Sequence, residues 1–314
     1  MSELAVRHLA PELEAVERLV LDAVSSPLTR AMYRRALGDF FEWREQQGRP
    51  AFSRAAVQAH RGVLESKGYA PSTINQRLAA IKKLAREAAA GGLLDAGTAA
   101  GIDQVPGARQ QGVRAGNWLT KAQAEVLLNA PDATTLKGRR DRALLALLLG
   151  CGLRRGEAVA LTVEHIQQRD GRWVIVDLRG KHGRIRTVPV PAWVKQALDV
   201  WTQAAGIADS RLLRSLNRHG RIIGDSMSPQ AVLAVVVSYG RELGLKLKPH
   251  DLRRTCAKLC RATGGELEQI QLLLGHASIQ TTERYLGSRQ NLIDAPNDHL
   301  GLGWNSGTSL PTQA

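Results

Sequence analysis

Residues 139–157, RRDRALLALLLGCGLRRGE, contain an apolar segment of helical length followed by a charged turn. The uncharged run at 143–153 is about half of the ~20 residues that a membrane span needs, so it predicts a buried helix and no transmembrane helix. Gly152 is expected to end the helix, which places Arg154 at the turn and Glu157 three residues later. A carboxylate there can hold the guanidinium, and an arginine so placed can bind two oxygens of one phosphate.

The chain before this stretch predicts a small helical bundle at residues 25–105. Ser26, Ser53 and Ser72 are expected to open three helices, each closed by a glycine. Twelve Lys and Arg stand against five Asp and Glu between residues 25 and 90. In the third helix the basic residues share the side opposite the apolar one, and the candidate DNA contacts there are Arg77, Lys82, Lys83 and Arg86. The pattern predicts a DNA-gripping helical domain, and the alternative is an amphipathic bundle whose polar faces happen to be basic.

A second domain is predicted at residues 119–290, after a linker at 106–118 that is rich in glycine and lacks an apolar period. Thr120 and Gln123 form a capping box that starts its first helix. Two short β-rich runs follow, separated by the turn signal RGKHG at 179–183, and helices dominate afterwards. The fold class is therefore mainly α with a small β-sheet (α+β).

Charge and composition restrict the partners. The 314 residues carry a net charge of +14, while the two ends, 1–24 and 291–314, are each net negative and are interpreted as appendages. The positive excess therefore belongs to the folded body, where it can line a groove for a phosphate backbone, although a solvated basic surface is the alternative. Three cysteines without a CxxC pair and an N-terminus without a secretory signal indicate a cytoplasmic protein.

Two further segments place basic side chains at structural boundaries. Lys181 and Arg184 lie on the predicted hairpin, where a lysine can reach into a groove or simply be solvated. Pro249 favours a helix that starts just after it, so His250 and Arg253 fall one turn apart on the same face, near backbone N–H groups that attract anions. A capping histidine beside a surface arginine is the alternative.

A last segment lies near the C-terminus. Gly275 is expected to break one helix before His276, and Ser278 to cap the next, which ends near Tyr285. A lone tyrosine at such a position is usually a half-buried packing residue.

Five features follow one another along the chain in a recognisable order: GLRRGE at 152–157, GKHGR at 180–184, HDLRR at 250–254, LLGHAS at 273–278 and Tyr285. This pattern resembles the tyrosine site-specific recombinase family, also called the phage integrase family. The resemblance covers roughly residues 25–290. It implies an N-terminal helical core-binding bundle followed by a tyrosine-recombinase catalytic domain.

The resemblance also implies the roles of individual residues. Those expected to surround the scissile phosphate are Arg154, His250, Arg253 and His276. Lys181 would be the general acid, Tyr285 the nucleophile and Glu157 the support of the first arginine. Arg184 is a further candidate DNA contact.

The implied function is site-specific recombination of double-stranded DNA through a covalent 3′-phosphotyrosine, by a homotetramer acting on two sites. No cofactor or metal is expected; Cys256 and Cys260 invite a metal interpretation, but a buried helix face accounts for them. The DNA target stays open, as does the choice between integration, excision, dimer resolution and transposition in a mobile element or a stable replicon. Whether an accessory protein sets the direction of recombination is also open. The protein would associate with the nucleoid when bound to DNA.

Two other functions remain open at this point. A type IB topoisomerase would use similar chemistry on one duplex, and an architectural DNA-binding protein would have lost the chemistry. The C-terminal stretch 291–304 contains five large apolar residues, which suggests that the tail 291–314 docks on a neighbouring subunit or packs on its own domain.

Overall fold

A computed structural model describes residues 16–109, 117–180 and 183–286, without the side chains of Leu28, Arg284 and Tyr285. The described residues fall into two units, one ending at residue 109 and the other beginning at residue 117. Both are mostly helical and the second contains two small sheets, so the expected α+β fold class is confirmed. No helix in the described ranges is long and apolar enough to cross a bilayer. Lys181 and the tail 291–314 lie outside the described residues.

The first unit is built from a helical segment at residues 16–22 and four longer helices. These are α1 (Pro27–Gln46), α2 (Arg54–Ser66), α3 (Pro71–Ala90) and α4 (Ala96–Asp103). Ser26 and Ser53 cap α1 and α2 as predicted. The predicted cap at Ser72 is wrong, because α3 already begins at Pro71, which sets its own φ and holds Ala70 extended with ψ 143°.

The N-terminal segment is partly a component of this unit rather than an appendage. Val16 and Val20 are at most 1% exposed and pack in the same apolar core as Phe40 and Ile81. The expectation that residues 1–24 lie apart from the fold is therefore wrong from residue 16 onward. Three apolar positions at helical spacing, Val16, Val20 and Leu21, carried this signal.

The predicted linker is shorter than its composition indicates. Ala108 is buried in the first unit, where its backbone N–H and carbonyl both bond the side chain of Asn75, at 2.7 and 3.0 Å. At the other end, Asn117 Nδ2 donates to the carbonyl of Lys246 at 2.9 Å. Residues 110–116, in between, lie outside the described ranges.

His60 is a histidine inside the apolar core of the first unit. It is 3% exposed, and its ring centroid lies 5.1 Å from that of Phe40 and 5.0 Å from that of Trp43. Burial, assisted by the nearby positive charge of Arg77, lowers the pKa of His60 from 6.5 to about 4. The folded unit therefore accommodates the neutral ring.

This burial predicts an acid-sensitive stability. Through His60 alone, the free energy of unfolding should fall by about 2 kcal/mol between about pH 7 and about pH 5, because the unfolded chain binds a proton below its pKa of 6.5 and the folded chain does so only near 4. His60→Leu should remove this part of the loss. Urea denaturation of both proteins at the two pH values measures the difference, and equal losses would contradict the assignment.

The second unit holds the remaining elements. Its helices are α5 (Lys121–Asn129), α6 (Leu136–Gly150), α7 (Arg155–Ala160), α8 (Ala192–Ala205), α9 (Pro229–Glu242), α10 (Pro249–Ala262), α11 (Leu267–Leu274) and α12 (Ile279–Leu286). A 3₁₀ turn spans Val163–His165, and the strands are β1 (Ile166–Arg169), β2 (Arg172–Arg179), β3 (Ile185–Pro189), β4 (Ser215–Leu216) and β5 (Ile222–Ile223). The apolar helix α6 lies in the centre of the core, since all six residues from Ala143 to Leu148 are at most 1% exposed.

The larger sheet is antiparallel, with strand order β1-β2-β3. The predicted hairpin of β2 and β3 is present, with Ile175 paired to Val188. The first strand was not predicted, because IQQR at 166–169 contains only one β-favouring residue and depends on its pairing with β2. The hairpin packs against α11, which places Gly180 and Arg184 beside the segment that contains His276.

Candidate active site

Arg154 lies on the sharp turn between α6 and α7. Gly152 there has φ +59°, and a Cβ atom on it would come within 2.9 Å of Leu274 Cδ2, so the turn needs glycine both for its conformation and for space. Arg154 is the N-cap of α7, and its side chain is 30% exposed. The predicted placement of the arginine at a turn after the buried helix is confirmed.

Glu157 holds Arg154 through two contacts. Its Oε2 accepts from the backbone N–H of Arg154 at 2.9 Å, and its Oε1 accepts from Arg154 Nη1 at 2.6 Å. The Glu157 side chain is only 5% exposed. The expected pairing of this carboxylate with the guanidinium is therefore present.

Helix α10 brings His250 and Arg253 to the same place. Asp251 caps this helix by accepting from the backbone N–H of Lys248 at 2.9 Å. Arg253 is fully buried, and its two Nη atoms donate to the carbonyls of Gly152 and Leu274. This one side chain thus joins the turn of Arg154 to the end of α11, while His250 remains accessible at the start of the helix.

His276 follows the end of α11. Gly275 has φ +62° and ends that helix as predicted. The Nδ1 atom of His276 lies 3.0 Å from the hydroxyl oxygen of Thr282, which is fully buried in α12. Since Tyr285 follows Thr282 by three residues on the same short helix, this bond ties the helix that carries Tyr285 to His276.

Burial and the surrounding positive charges lower the pKa of both imidazoles and so favour their neutral forms. Burial, followed by the charges of Arg253 and Arg154, lowers the pKa of His276 to about 4. Partial removal from water and the charges of Arg253, Arg254 and Arg154 also lower the pKa of His250. A neutral imidazole can accept a proton and can donate a hydrogen bond, which are both useful beside a phosphate.

Arg186 is a member of this cluster that the sequence analysis missed. Its Nη2 and Nη1 donate to Oε2 and Oε1 of Glu157 at 2.9 and 3.1 Å, and its Nε donates to the carbonyl of Leu273 at 3.2 Å. Burial alone would raise the pKa of Glu157, but the bonds from Arg186 and Arg154 outweigh it and hold that pKa below its ordinary value. The available signal was the alternation of β3, which places Arg186 on the same face as the buried Val188.

The four basic residues predicted on α3 all have partners within the first unit. Arg77 is 8% exposed and pairs with Asp39, so its expected position on an open basic face is wrong. The other three contacts are Lys82 to the carbonyl of Asp103 at 2.7 Å, Lys83 to Glu87 at 2.9 Å and Arg86 to Asp103 at 2.6 Å. Because these side chains already bond to groups of the first unit, their positive charge is weaker evidence for DNA contact. The role of Lys82, Lys83 and Arg86 as DNA contacts stays a prediction.

Two predicted residues are not placed. Lys181 lies outside the described residues, and Tyr285 is described only as part of the backbone of α12. Arg184, by contrast, is exposed and lines a pocket of 160 Å³ together with Arg186 and His276. The described residues therefore show the cluster of Arg154, Arg253 and the two histidines, but not the side chain of the proposed nucleophile.

Cys256 is buried in α10. Its Sγ lies 3.9 Å from the carbonyl oxygen of Gly150, which fits the packing role that the sequence analysis preferred. Within the described ranges, no three His, Cys, Asp or Glu side chains come together as metal ligands could.

Comparison with known proteins finds similar sequences and structures. Residues 117–291 match the phage integrase family. The chain is 31% identical over 313 residues to a tyrosine recombinase of Synechococcus elongatus, with 94% of this chain and 95% of the relative covered. It is also 32% identical over 258 residues to the tyrosine recombinase XerC of Pseudomonas putida, with 81% and 83% covered.

Solved structures show the same fold. A lambda integrase dimer bound to a COC′ core site matches with a TM-score of 0.68 at 17% identity, over 90% of this chain and 97% of that one. The XerH recombinase bound to difH in a post-cleavage complex matches with a TM-score of 0.64 at 21% identity, over 82% and 76%.

Proposed function

The chain belongs to the phage integrase family of tyrosine recombinases, and we propose that it cleaves and rejoins double-stranded DNA through a covalent 3′-phosphotyrosine, as a homotetramer on two sites. The catalytic domain is the second unit, and the first unit is the core-binding domain. The proposal includes recombination in either direction, set by an accessory protein where one is required. We propose that the recombinase acts in the cytoplasm, on the DNA of the nucleoid.

One observation carries this proposal: Arg154 and Arg253 lie beside the same carboxylate, with Glu157 Oε1 2.6 Å from Arg154 and Oε2 4.0 Å from Arg253. A phosphodiester carries one negative charge and gathers more on its non-bridging oxygens as a fifth oxygen approaches phosphorus. Arg154, which is held in place and 30% exposed, can bind those oxygens directly, and the buried charge of Arg253 adds to the positive potential at the site without reorganisation. His276 adds an imidazole to the same centre.

The proposed chemical step takes the roles of Tyr285 and Lys181 from the resemblance to the family. The Tyr285 oxygen attacks phosphorus, the new P–O bond forms, and the bond from phosphorus to the departing 5′ oxygen breaks. Phenol has a pKa of ~10, so its proton needs an acceptor, and neutral His250 is the acceptor that we assign. Lys181 donates a proton to the departing 5′ oxygen.

Rejoining reverses these steps with a different strand. The 5′ hydroxyl of the partner duplex attacks the phosphotyrosine and releases the tyrosine. Because the phosphotyrosine retains the energy of the broken phosphodiester, the exchange needs no nucleotide hydrolysis. Strand exchange between two duplexes is what distinguishes a recombinase from a topoisomerase that uses similar chemistry.

A plasmid with two target sites tests the proposal. The sites are first selected by affinity from random-sequence duplexes and then cloned as direct repeats in a supercoiled plasmid. The expected product is a pair of smaller circles that carry one site each. Relaxed plasmid without smaller circles would indicate a topoisomerase, and tight binding without any strand cleavage would indicate an architectural protein; either result contradicts the proposal.

A further inference from the structure

We propose that Arg186 is a positioning residue of the recombination reaction, which holds Glu157 so that Arg154 faces the phosphate. The inference rests on the proposed function. Arg186 would act through Glu157 rather than on the reacting atoms.

The contacts of Arg186 join three parts of the chain. From β3 its guanidinium forms a paired interaction with both oxygens of Glu157 on α7, at 2.9 and 3.1 Å, and a third bond to the carbonyl of Leu273 on α11 at 3.2 Å. The side chain is only 11% exposed. Planar paired donation of this kind fixes the carboxylate in orientation as well as in place.

Charge explains why Arg154 benefits. The Glu157 carboxylate is 2.6 Å from Arg154 and 2.9 Å from Arg186, with Arg253 at 4.0 Å. One negative charge shared among three guanidiniums leaves a positive excess for a phosphate. Without Arg186, the Glu157 carboxylate would lose the paired donation that orients it, and Arg154 would lose its fixed support.

Two glycines leave the space that Arg186 occupies. A Cβ atom on Gly275 would lie 2.9 Å from Arg186 Cδ, and one on Gly180 would lie 3.2 Å from Arg186 Nη1. Gly180 directly precedes Lys181, and Gly275 directly precedes His276. Arg186 is therefore packed against the residues that directly precede two proposed members of the active site.

The test uses single-turnover cleavage of a nicked duplex that traps the covalent adduct. We expect Arg186→Met to lower the cleavage rate about 10- to 100-fold while the DNA affinity changes less than about twofold. Arg172→Met serves as the matched control and should keep the wild-type rate. Arg172 is an exposed arginine at the start of β2, the end of that strand opposite the hairpin loop. Arg186→Lys, which keeps the charge but not the paired donation, should have an intermediate rate.

A double-mutant cycle with Glu157→Gln separates positioning from a general loss of structure. If Arg186 acts through Glu157, Arg186→Met should lower the rate less than about threefold when Glu157→Gln is already present. The pH profile gives a second readout. In Arg186→Met the Glu157 carboxylate loses the interaction that most lowers its pKa, so the rate should fall more steeply toward acid pH than in the wild type, and Glu157→Gln should abolish this acid limb.

Independent effects of the two substitutions, or an unchanged pH profile, would overturn the inference. If Arg186→Met does not fold, as judged by thermal denaturation, the same cycle and pH profile are measured with Arg186→Lys, and the same outcomes decide. A wild-type protein that forms no adduct contradicts the proposed function. A wild-type protein that forms the adduct, with Arg186→Met equally fast, contradicts only the role of Arg186.

Discussion

Tyr285→Phe is expected to abolish the covalent protein–DNA adduct and all recombination, while the affinity for the target duplex changes less than about twofold. The phenol oxygen is the atom that we assign to attack phosphorus, and phenylalanine lacks it while keeping the ring. Among the described residues of the cluster, the Thr282 hydroxyl is fully buried against His276 and is not available to attack, so the loss should be complete rather than partial. Denaturing gels of the protein on a nicked trapping duplex detect the adduct directly.

Tyr239→Phe is the control for this substitution. Tyr239 also belongs to the second unit, but its hydroxyl lies 3.0 Å from the buried Asp141 and is thus committed to the core. This variant should lose some stability and still form the adduct. An adduct that persists in Tyr285→Phe would assign the attack to another residue.

Arg154→Gln should lower the single-turnover cleavage rate by about 10²- to 10³-fold, which corresponds to about 3–4 kcal/mol of transition-state stabilisation. The guanidinium of Arg154 is held by Glu157 at 2.6 Å and remains 30% exposed, so it is fixed in position and still available to a phosphate. Glutamine removes the charge and the paired donation. Binding of the intact duplex should weaken much less, because the additional charge develops only in the transition state.

The next residue along the chain supplies the control. Arg155 is exposed and carries the same charge, so Arg155→Gln has the same effect on the net charge of the protein. We expect it to change the cleavage rate less than about threefold. Equal losses in the two variants would mean that Arg154 contributes only to general attraction of DNA.

The local features of the active site could be predicted from the sequence because they depend on neighbours along the chain. Thr120 caps its helix by accepting from the backbone N–H of Gln123 at 3.2 Å, as the residue types indicated. Gly275 ends α11 in a left-handed conformation, and Glu157 pairs with Arg154 three residues away. Each relation spans a single helical turn.

The features that could not be predicted depend on contacts between distant segments. Arg186 meets Glu157 across 29 residues, and Arg77 meets Asp39 across 38. A basic residue looks the same in the sequence whether it faces solvent or a buried carboxylate. Alternation along β3 was the only local clue for Arg186, while Arg77 lies at a helical position that favours either outcome.

The attachment site of the DNA tests the central claim most directly. The trapped adduct is digested with nuclease and trypsin, and the modified peptide is identified by mass spectrometry. We predict a nucleotide joined by its 3′ phosphate to the tyrosine of the peptide YLGSR, residues 285–289. A nucleotide on any other peptide, or one joined by a 5′ phosphate, would contradict the account.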